Sequence, residues 1–324
     1  MKKFFVSALA VLILFVFVSC GIKPEDDRVV MTLDGEKIHY DYFRYVFLNS
    51  RDDLAYGQPD GYWKDNSEAQ KKLEDAVIET LLRNKAIMLL ADEYDMSLTK
   101  SEKDDILDYI KKSKKNLGGS EPFKESLAAS YLTEYSFKHI QEIMTVWTKL
   151  YNHITSETSG VIKCGDEIIL ADVPKNFRNI KYIMISNDEK DDKAENFELA
   201  KNVQSLAASG EDFDELIKEH GEDNTMEQKL KNGYYFTIGS VDETIEEAVL
   251  ELEENQVSEV IDMGYAYYIV KRVPIDLDYV EDNLDEFRRT YCARIFNEML
   301  NEKASEIEVD YKDLYNELTV FTVE

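Results

Sequence analysis

Apolar residues change their spacing twice along this chain, and the order of those changes limits the folds open to it. Between Ser67 and Thr155 they recur every three or four residues, the mark of amphipathic helices. After Ser156 they gather into short runs of strand type, and from Tyr279 to about Ser305 the helical spacing returns. A mixed segment therefore lies between two helical ones. This order implies an α+β fold, with a helical domain built from both chain ends and a compact α/β module inserted into it. With 324 residues there is room for about two such units. The 44% apolar content supplies a sizeable core for them.

Local signals fill in the plan. Asp34-Gly35 between two short apolar runs predicts a tight hairpin over 28–38. A helix is expected from Tyr40, with Tyr42, Phe43, Val46 and Phe47 turned inward. Gln58–Asn66, rich in polar residues with Pro and Gly, reads as a loop. Ser67 is the expected N-cap of a long helix to about Glu93, apolar on two sides through Leu73, Val77, Leu81, Met88 and Ala91 and through Ile78, Leu82 and Leu89. Thr99 starts a helix that Gly118-Gly119 ends, and a short helix is expected near Pro122–Tyr131. Thr133 caps the most regular helix. Phe137, Ile140, Met144, Trp147, Tyr151 and Ile154 form one apolar stripe on it, read as core or partner-helix packing. Further on, Ile168-Ile169-Leu170, Ile180–Ser186, Tyr234–Thr237, Val257–Ile261 and Tyr267–Val273 read as strands. Helices are expected at Lys193–Ala208, Phe213–His220 and Ile245–Leu250. In the last helix Leu284, Phe287, Tyr291, Ile295 and Met299 should share a face.

The first twenty residues speak to location. Lys2 and Lys3 precede fifteen apolar or small residues, Phe4–Val18, and Ser19-Cys20-Gly21 closes the run before the chain turns polar. That is the charged, apolar and small-residue order of a secretory signal, and it is short of the roughly 18–20 residues that span a bilayer. Phe17-Val18-Ser19-Cys20 resembles a bacterial lipobox, although Phe17 stands where Leu is usual. The resemblance implies lipidation of Cys20 and a protein lipid-anchored on the outer face of the bacterial cell membrane. Simple secretion and an uncleaved anchor are the alternatives.

Charge narrows the partners. A net charge of −28 repels phosphate backbones, so no nucleic acid is expected. The same charge repels anionic lipid, so the anchor has to hold without polybasic help. Besides Cys20, only Cys164 and Cys292 remain, and whether they pair stays open. The four histidines, His39, His139, His153 and His220, lack metal-ligand spacing; neither a metal nor another cofactor is expected.

Residues 28–154 resemble the N-terminal chaperone domain of the PrsA and SurA foldases. The likeness lies in Asp34-Gly35-Glu36-Lys37-Ile38 before an aromatic-rich helix, then Leu81–Leu90, Leu98-Thr99-Lys100-Ser101-Glu102 and the final long helix. Residues 175–273 resemble a parvulin-type peptidyl-prolyl isomerase domain. Gly210-Glu211-Asp212-Phe213-Asp214-Glu215-Leu216, Gly221-Glu222-Asp223, Val257-Ser258-Glu259-Val260 and Tyr268-Ile269-Val270-Lys271 carry that likeness. The implied layout is a lipoprotein signal segment at 1–20, a tether at 21–27 and a helical chaperone domain at 28–172. A parvulin-like domain at 175–273, with a four-stranded antiparallel sheet and helices, and a helical segment at 275–324 that completes the chaperone domain follow.

The resemblance also implies a site. The family's two histidines align with Tyr182 and Tyr268, and the residue between them is Asp223. The proline pocket, usually Met and Phe, aligns with Val241 and Ile245. Gly233 is kept in the glycine-rich turn, and Asn232 replaces its partner. Isomerisation breaks no covalent bond; it needs an apolar slot and polar groups that favour the twisted amide over a barrier of about 18–20 kcal/mol. Tyrosine can donate such a hydrogen bond, but with a pKa near 10 it cannot act as a near-neutral acid–base group.

The expected function is an extracytoplasmic foldase that takes unfolded or nascent secreted polypeptides, with the isomerase site degenerate. Tyr42, Phe43, Tyr45, Trp63, Tyr131 and Trp147 are candidates to line its client groove. A competent isomerase using Asp223 and the two tyrosines is the first alternative, and a non-catalytic envelope adaptor the second. A transporter's substrate-binding protein is weaker, because only one α/β lobe is visible. A homodimer is compatible with all of these.

Overall fold

The computed structural model describes residues 22–156, 158–187 and 193–324; the signal segment and Cys20 lie outside them. Strands β1 (Val29–Leu33) and β2 (Glu36–His39) form the hairpin, with Asp34 and Gly35 at φ 48° and 77°, the two positive φ angles that match strand twist. Helices α1 (Tyr40–Ala55), α2 (Ser67–Glu93), α3 (Lys100–Asn116), α4 (Ser120–Ala128), α5 (Glu134–Thr155) and α6 (Asp166–Asn176) follow. The inserted part comprises β3 (Phe177–Ser186), α7 (Lys193–Ser209), α8 (Phe213–His220), α9 (Asn224–Gln228), β4 (Tyr234–Thr237), α10 (Glu243–Glu251), β5 (Ile261–Asp262) and β6 (Ala266–Val273). The chain closes with α11 (Leu277–Asp282), α12 (Leu284–Ser305), β7 (Val309–Tyr311) and a 3-10 turn at Asp313–Glu317.

Both ends of the chain build the helical part. β7 pairs antiparallel with β1, giving a sheet of order β2-β1-β7, and α12 packs on α2, α5 and α6. Their shared core holds Phe43, Leu73, Leu81, Val146, Leu150, Phe287, Phe296 and Leu300, all nearly inaccessible. Thr99 and Thr133 cap α3 and α5 through capping boxes, each satisfying two backbone N–H groups that helix starts leave open.

The second sheet is antiparallel throughout, with order β4-β3-β6-β5. Its strands alternate sides with period two. Ile183 and Ile185 of β3 join Tyr267 and Ile269 of β6 against α7 and α8. Ile180, Phe236, Ile261 and Val270 face the other way, toward α10. The sheet meets the helical part where Phe177 packs on Phe287, ring centres 5.4 Å apart, and where Tyr235 stacks on Tyr279.

Several local expectations are corrected. Ile168-Ile169-Leu170 is helical, inside α6. Acidic Asp166 and Glu167 favour a helix start after Gly165, and Ile169 and Val173, four apart, both turn inward. The stripe on α5 is only partly its buried face: Ile154 is fully buried and Ile140 and Tyr151 pack against the core, but the rest of the buried row lies beside the stripe. Ile143, Val146, Leu150 and Ile154 are buried, whereas Met144 and Trp147 stay 57% and 38% exposed. α5 is apolar on two adjacent faces, and spacing alone does not choose between them. The last helix breaks at Asn283, and its buried row is Phe287, Cys292, Phe296 and Leu300; Leu284, Tyr291, Ile295 and Met299 flank it. Val257–Ile261 supplies only a bridge to Lys271 and the first residue of β5. Asn66, not Ser67, caps α2, accepting from Ala69 N–H. Within residues 21–27, read as a tether, Glu25 and Asp26 are docked: their N–H groups donate to the buried Asp41 carboxylate at 2.7 and 3.0 Å.

Candidate functional site

The site lies on the α10 side of the inserted sheet. Residues of even number on β3 and β6 share that face, so Tyr182, Met184 and Tyr268 are neighbours by register. Val241 and Ile245, before and within α10, pack on the same cluster with Tyr182, Tyr234, Met263 and Tyr268. Tyr182 and Tyr268 have ring centres 5.7 Å apart, and Tyr234 meets Tyr182 edge-on at 6.2 Å. The structure thus brings together Tyr182, Tyr268, Asp223, Val241 and Ile245. Sequence reasoning missed Tyr234, Met184 and Met263; two-residue alternation along β3 and β4 was the available signal for the first two.

Asp223 serves two partners at once. Its Oδ2 accepts from the Tyr182 hydroxyl at 2.6 Å, and its Oδ1 accepts from Thr225 N–H at 2.7 Å as the N-cap of α9. Burial pushes the carboxyl pKa up, but the hydrogen bonds from Tyr182 and Thr225 outweigh it and hold the group below the ordinary value. Burial first, and then the Asp223 carboxylate, raise the Tyr182 pKa far above 10. Tyr268 is raised as well, by burial and then by neighbouring Tyr265. At neutral pH the cluster is therefore one carboxylate with two neutral phenols. It can donate hydrogen bonds, but Tyr182, Tyr268 and Asp223 are all held away from neutral titration, so it is poorly suited to shuttle a proton.

The turn before β4 is fixed by one glycine. Gly233 has φ +79°, and a Cβ there would sit 2.1 Å from Asn179 Oδ1. Asn179, buried on β3, donates from Nδ2 to the carbonyls of Asn232 and Pro274, both at 3.0 Å. The residue retained in this turn is thus required by close approach, and Asn232 contributes its carbonyl.

The candidate groove aromatics of the helical part separate on burial. Tyr42 and Phe43 are core, while Tyr45, Trp63 and Tyr131 are half-buried. Trp147 is exposed and stacks on Tyr151 at 5.0 Å, beside Phe296 and one turn from exposed Met144. Cys164 and Cys292 are buried, and no disulfide joins them. Among the described residues no His, Cys, Asp and Glu group is placed to hold a metal ion, and no helix is long and apolar enough to cross a membrane.

Comparison with known proteins gives this arrangement its relatives. The PPIC-type PPIase domain family matches residues 182–273, beginning at Tyr182, and the SurA-like N-terminal domain family matches residues 1–151. Foldase protein PrsA 1 of Bacillus cereus is 28% identical over 124 residues, which cover 36% of this chain and 43% of that foldase. The chain thus spans less than half the length of that relative. Foldase protein PrsA of Staphylococcus aureus is 24% identical over 233 residues, covering 69% of this chain and 70% of its own. Among solved structures, PrsA from Bacillus anthracis aligns at 21% identity with a TM-score of 0.30, covering 70% of this chain and 96% of that one. The parvulin of Nitrosopumilus maritimus aligns at 30% identity with a TM-score of 0.25, covering 31% and 99%. The chain is a PrsA- and SurA-like protein, a SurA-like helical domain joined to a parvulin-type domain.

Proposed function

We propose that this chain is an extracytoplasmic foldase that holds unfolded secreted polypeptides, and that its parvulin-type domain binds client chains rather than catalysing their isomerisation efficiently. The observation that carries this reading is the Tyr182–Asp223 hydrogen bond. It directs the single hydroxyl proton of Tyr182 onto Asp223 at 2.6 Å, so that this pair has no donor turned toward a twisted amide. Holding a client needs exposed apolar surface, and α5 offers Met144 and Trp147. Large exposed apolar side chains that adjoin one another mark interaction sites.

The test is suppression of aggregation of a chemically unfolded client by the chain and by a Met144→Glu, Trp147→Glu double variant. Both positions are exposed, so folding is expected to survive. Protection should fall severalfold; equal protection by the double variant counts against this client surface.

Anchoring belongs to the same proposal. The order of charges and apolar residues in 1–20, ending at Cys20, supports a lipid anchor on the outer face of the cell membrane. Cys20→Ser is expected to move the protein out of the membrane fraction or leave it unprocessed, and fractionation like the wild type contradicts the anchor. A homodimer stays compatible with the proposal, and light scattering on the detergent-solubilised chain decides it.

One observation favours a second reading, a competent prolyl isomerase. The Tyr268 hydroxyl is held protonated beside Val241, Ile245 and Met263. A donor at the edge of an apolar slot is the arrangement that stabilises a twisted amide.

A further inference from the structure

The end of α1 touches the inserted domain beside the site, through two glycines and two tyrosines. Gly57 and Gly264 both have positive φ, and a Cβ on Gly57 would lie 3.1 Å from Tyr265 N and 3.3 Å from the Gly264 carbonyl carbon. The backbones approach as closely as glycine allows. On either side of this contact, Tyr56 and Tyr265 place ring centres 6.3 Å apart and are 71% and 37% exposed. Tyr265 in turn meets the Tyr268 ring edge-on at 6.4 Å. Tyr268 leads to Tyr182 and Tyr182 to Tyr234. Five tyrosines thus run without a gap from the helical domain into the parvulin-type site.

We propose that Tyr56, Tyr265, Tyr268, Tyr182 and Tyr234 form one continuous binding strip for an extended segment of unfolded client, carrying proline or aromatic residues among basic ones. The proposal rests on the reading of the parvulin-type domain as a client-binding module and adds its extent and its preferred chemistry.

Three observations select this occupant. The strip is continuous with the partly buried apolar side chains of Val241 and Ile245, so a chain lying on it meets them at its inner end. Its length is right: four ring contacts of about 6 Å reach at most roughly 25 Å, the span of about seven residues of extended chain. Its middle is acidic: Asp223 accepts from the Tyr182 hydroxyl and Asp242 lies close enough to act on Tyr268, with Lys229 over the Tyr234 ring at 5.1 Å at the inner end. A basic segment is drawn to such a middle and an acidic one is repelled. Tyrosine suits a surface that takes many sequences, since it offers a rigid apolar face and a hydroxyl with few rotatable bonds.

The test uses the full chain in detergent and two fluorescently labelled peptides. One is a four-residue Xaa-Pro core; the other extends it to ten residues with Phe and Lys on both sides. In wild type the longer peptide is expected to bind more tightly. Tyr56→Ser and Tyr265→Ser should each cut that length advantage by about three- to tenfold, the worth of one aromatic contact. Tyr56→Phe, which keeps the ring, should retain it. Gly57→Val leaves every tyrosine in place but forces the two backbones apart, and it should also lose the advantage. An advantage that persists in Tyr56→Ser and Gly57→Val overturns the strip. If Tyr268→Ala then still weakens the four-residue peptide, the binding-module reading survives that failure. If neither peptide binds wild type, both fall.

Discussion

Single residues here are set by what surrounds them more than by their type. His139 illustrates this on α5. Its ring meets the Tyr42 ring edge-on at 4.5 Å and lies parallel to Tyr135. Burial holds its pKa below the ordinary 6.5, so the neutral imidazole is the folded form. A base whose folded pKa lies below its unfolded one stabilises fully above the unfolded value and loses that contribution as pH falls through the folded one. Stability measured by urea denaturation should therefore decline as pH drops below about 6.5. His139→Phe should remove that part of the decline, and an identical pH profile in the variant contradicts the assignment. Tyr182, Asp223 and Tyr268 could be found from the sequence because family spacing marks them. Tyr265 and Tyr56 could not, because their contact joins positions about two hundred residues apart through glycine backbones.

At the scale of elements, the long helices were legible, and so were short pieces such as α8 at Phe213–His220 and β4 at Tyr234–Thr237, whereas others were not. Capped ends such as Thr99 and Thr133 write their positions into the sequence. Ile168-Ile169-Leu170 misleads because three β-branched or apolar residues fit either structure, and only the neighbours of α6 decide. β7 has three residues, and its partner β1 lies at the far end of the chain. No local pattern announces such a pairing. Yet this segment closes the helical domain. Tyr315 packs edge-on against Phe43, and Val323 is buried near the last residue. Truncation after Glu306 should cost about 3–6 kcal/mol at the usual worth of buried side chains, a large part of a typical 5–15 kcal/mol total. A urea midpoint unchanged by this truncation contradicts the closing role.

The whole molecule joins two demands that a single domain meets poorly. A surface that holds unfolded chains must stay open, and a site that engages one peptide bond must be fixed. Insertion lets each be built separately, since β3 leaves α6 at Phe177 and β6 returns toward α11 near Pro274. The contact between Gly57 and Gly264 then sets the two parts side by side. The net charge of −28 favours brief contact with basic segments. The order of helical, mixed and helical segments was readable from periodicity because each domain keeps one spacing over many residues. The balance between holding and catalysis was not, because it depends on where the Tyr182, Tyr268 and Asp223 side chains meet.

That balance is the central claim, and a pair of assays on one preparation tests it most directly. The first measures protection of an unfolded client from aggregation, and the second measures acceleration of isomerisation in a short Xaa-Pro peptide. Protection is expected at roughly equimolar chain, with isomerisation close to the uncatalysed rate and insensitive to Asp223→Ala. Strong acceleration that disappears in Asp223→Ala would contradict the account and show that two tyrosines can stand in for the histidines.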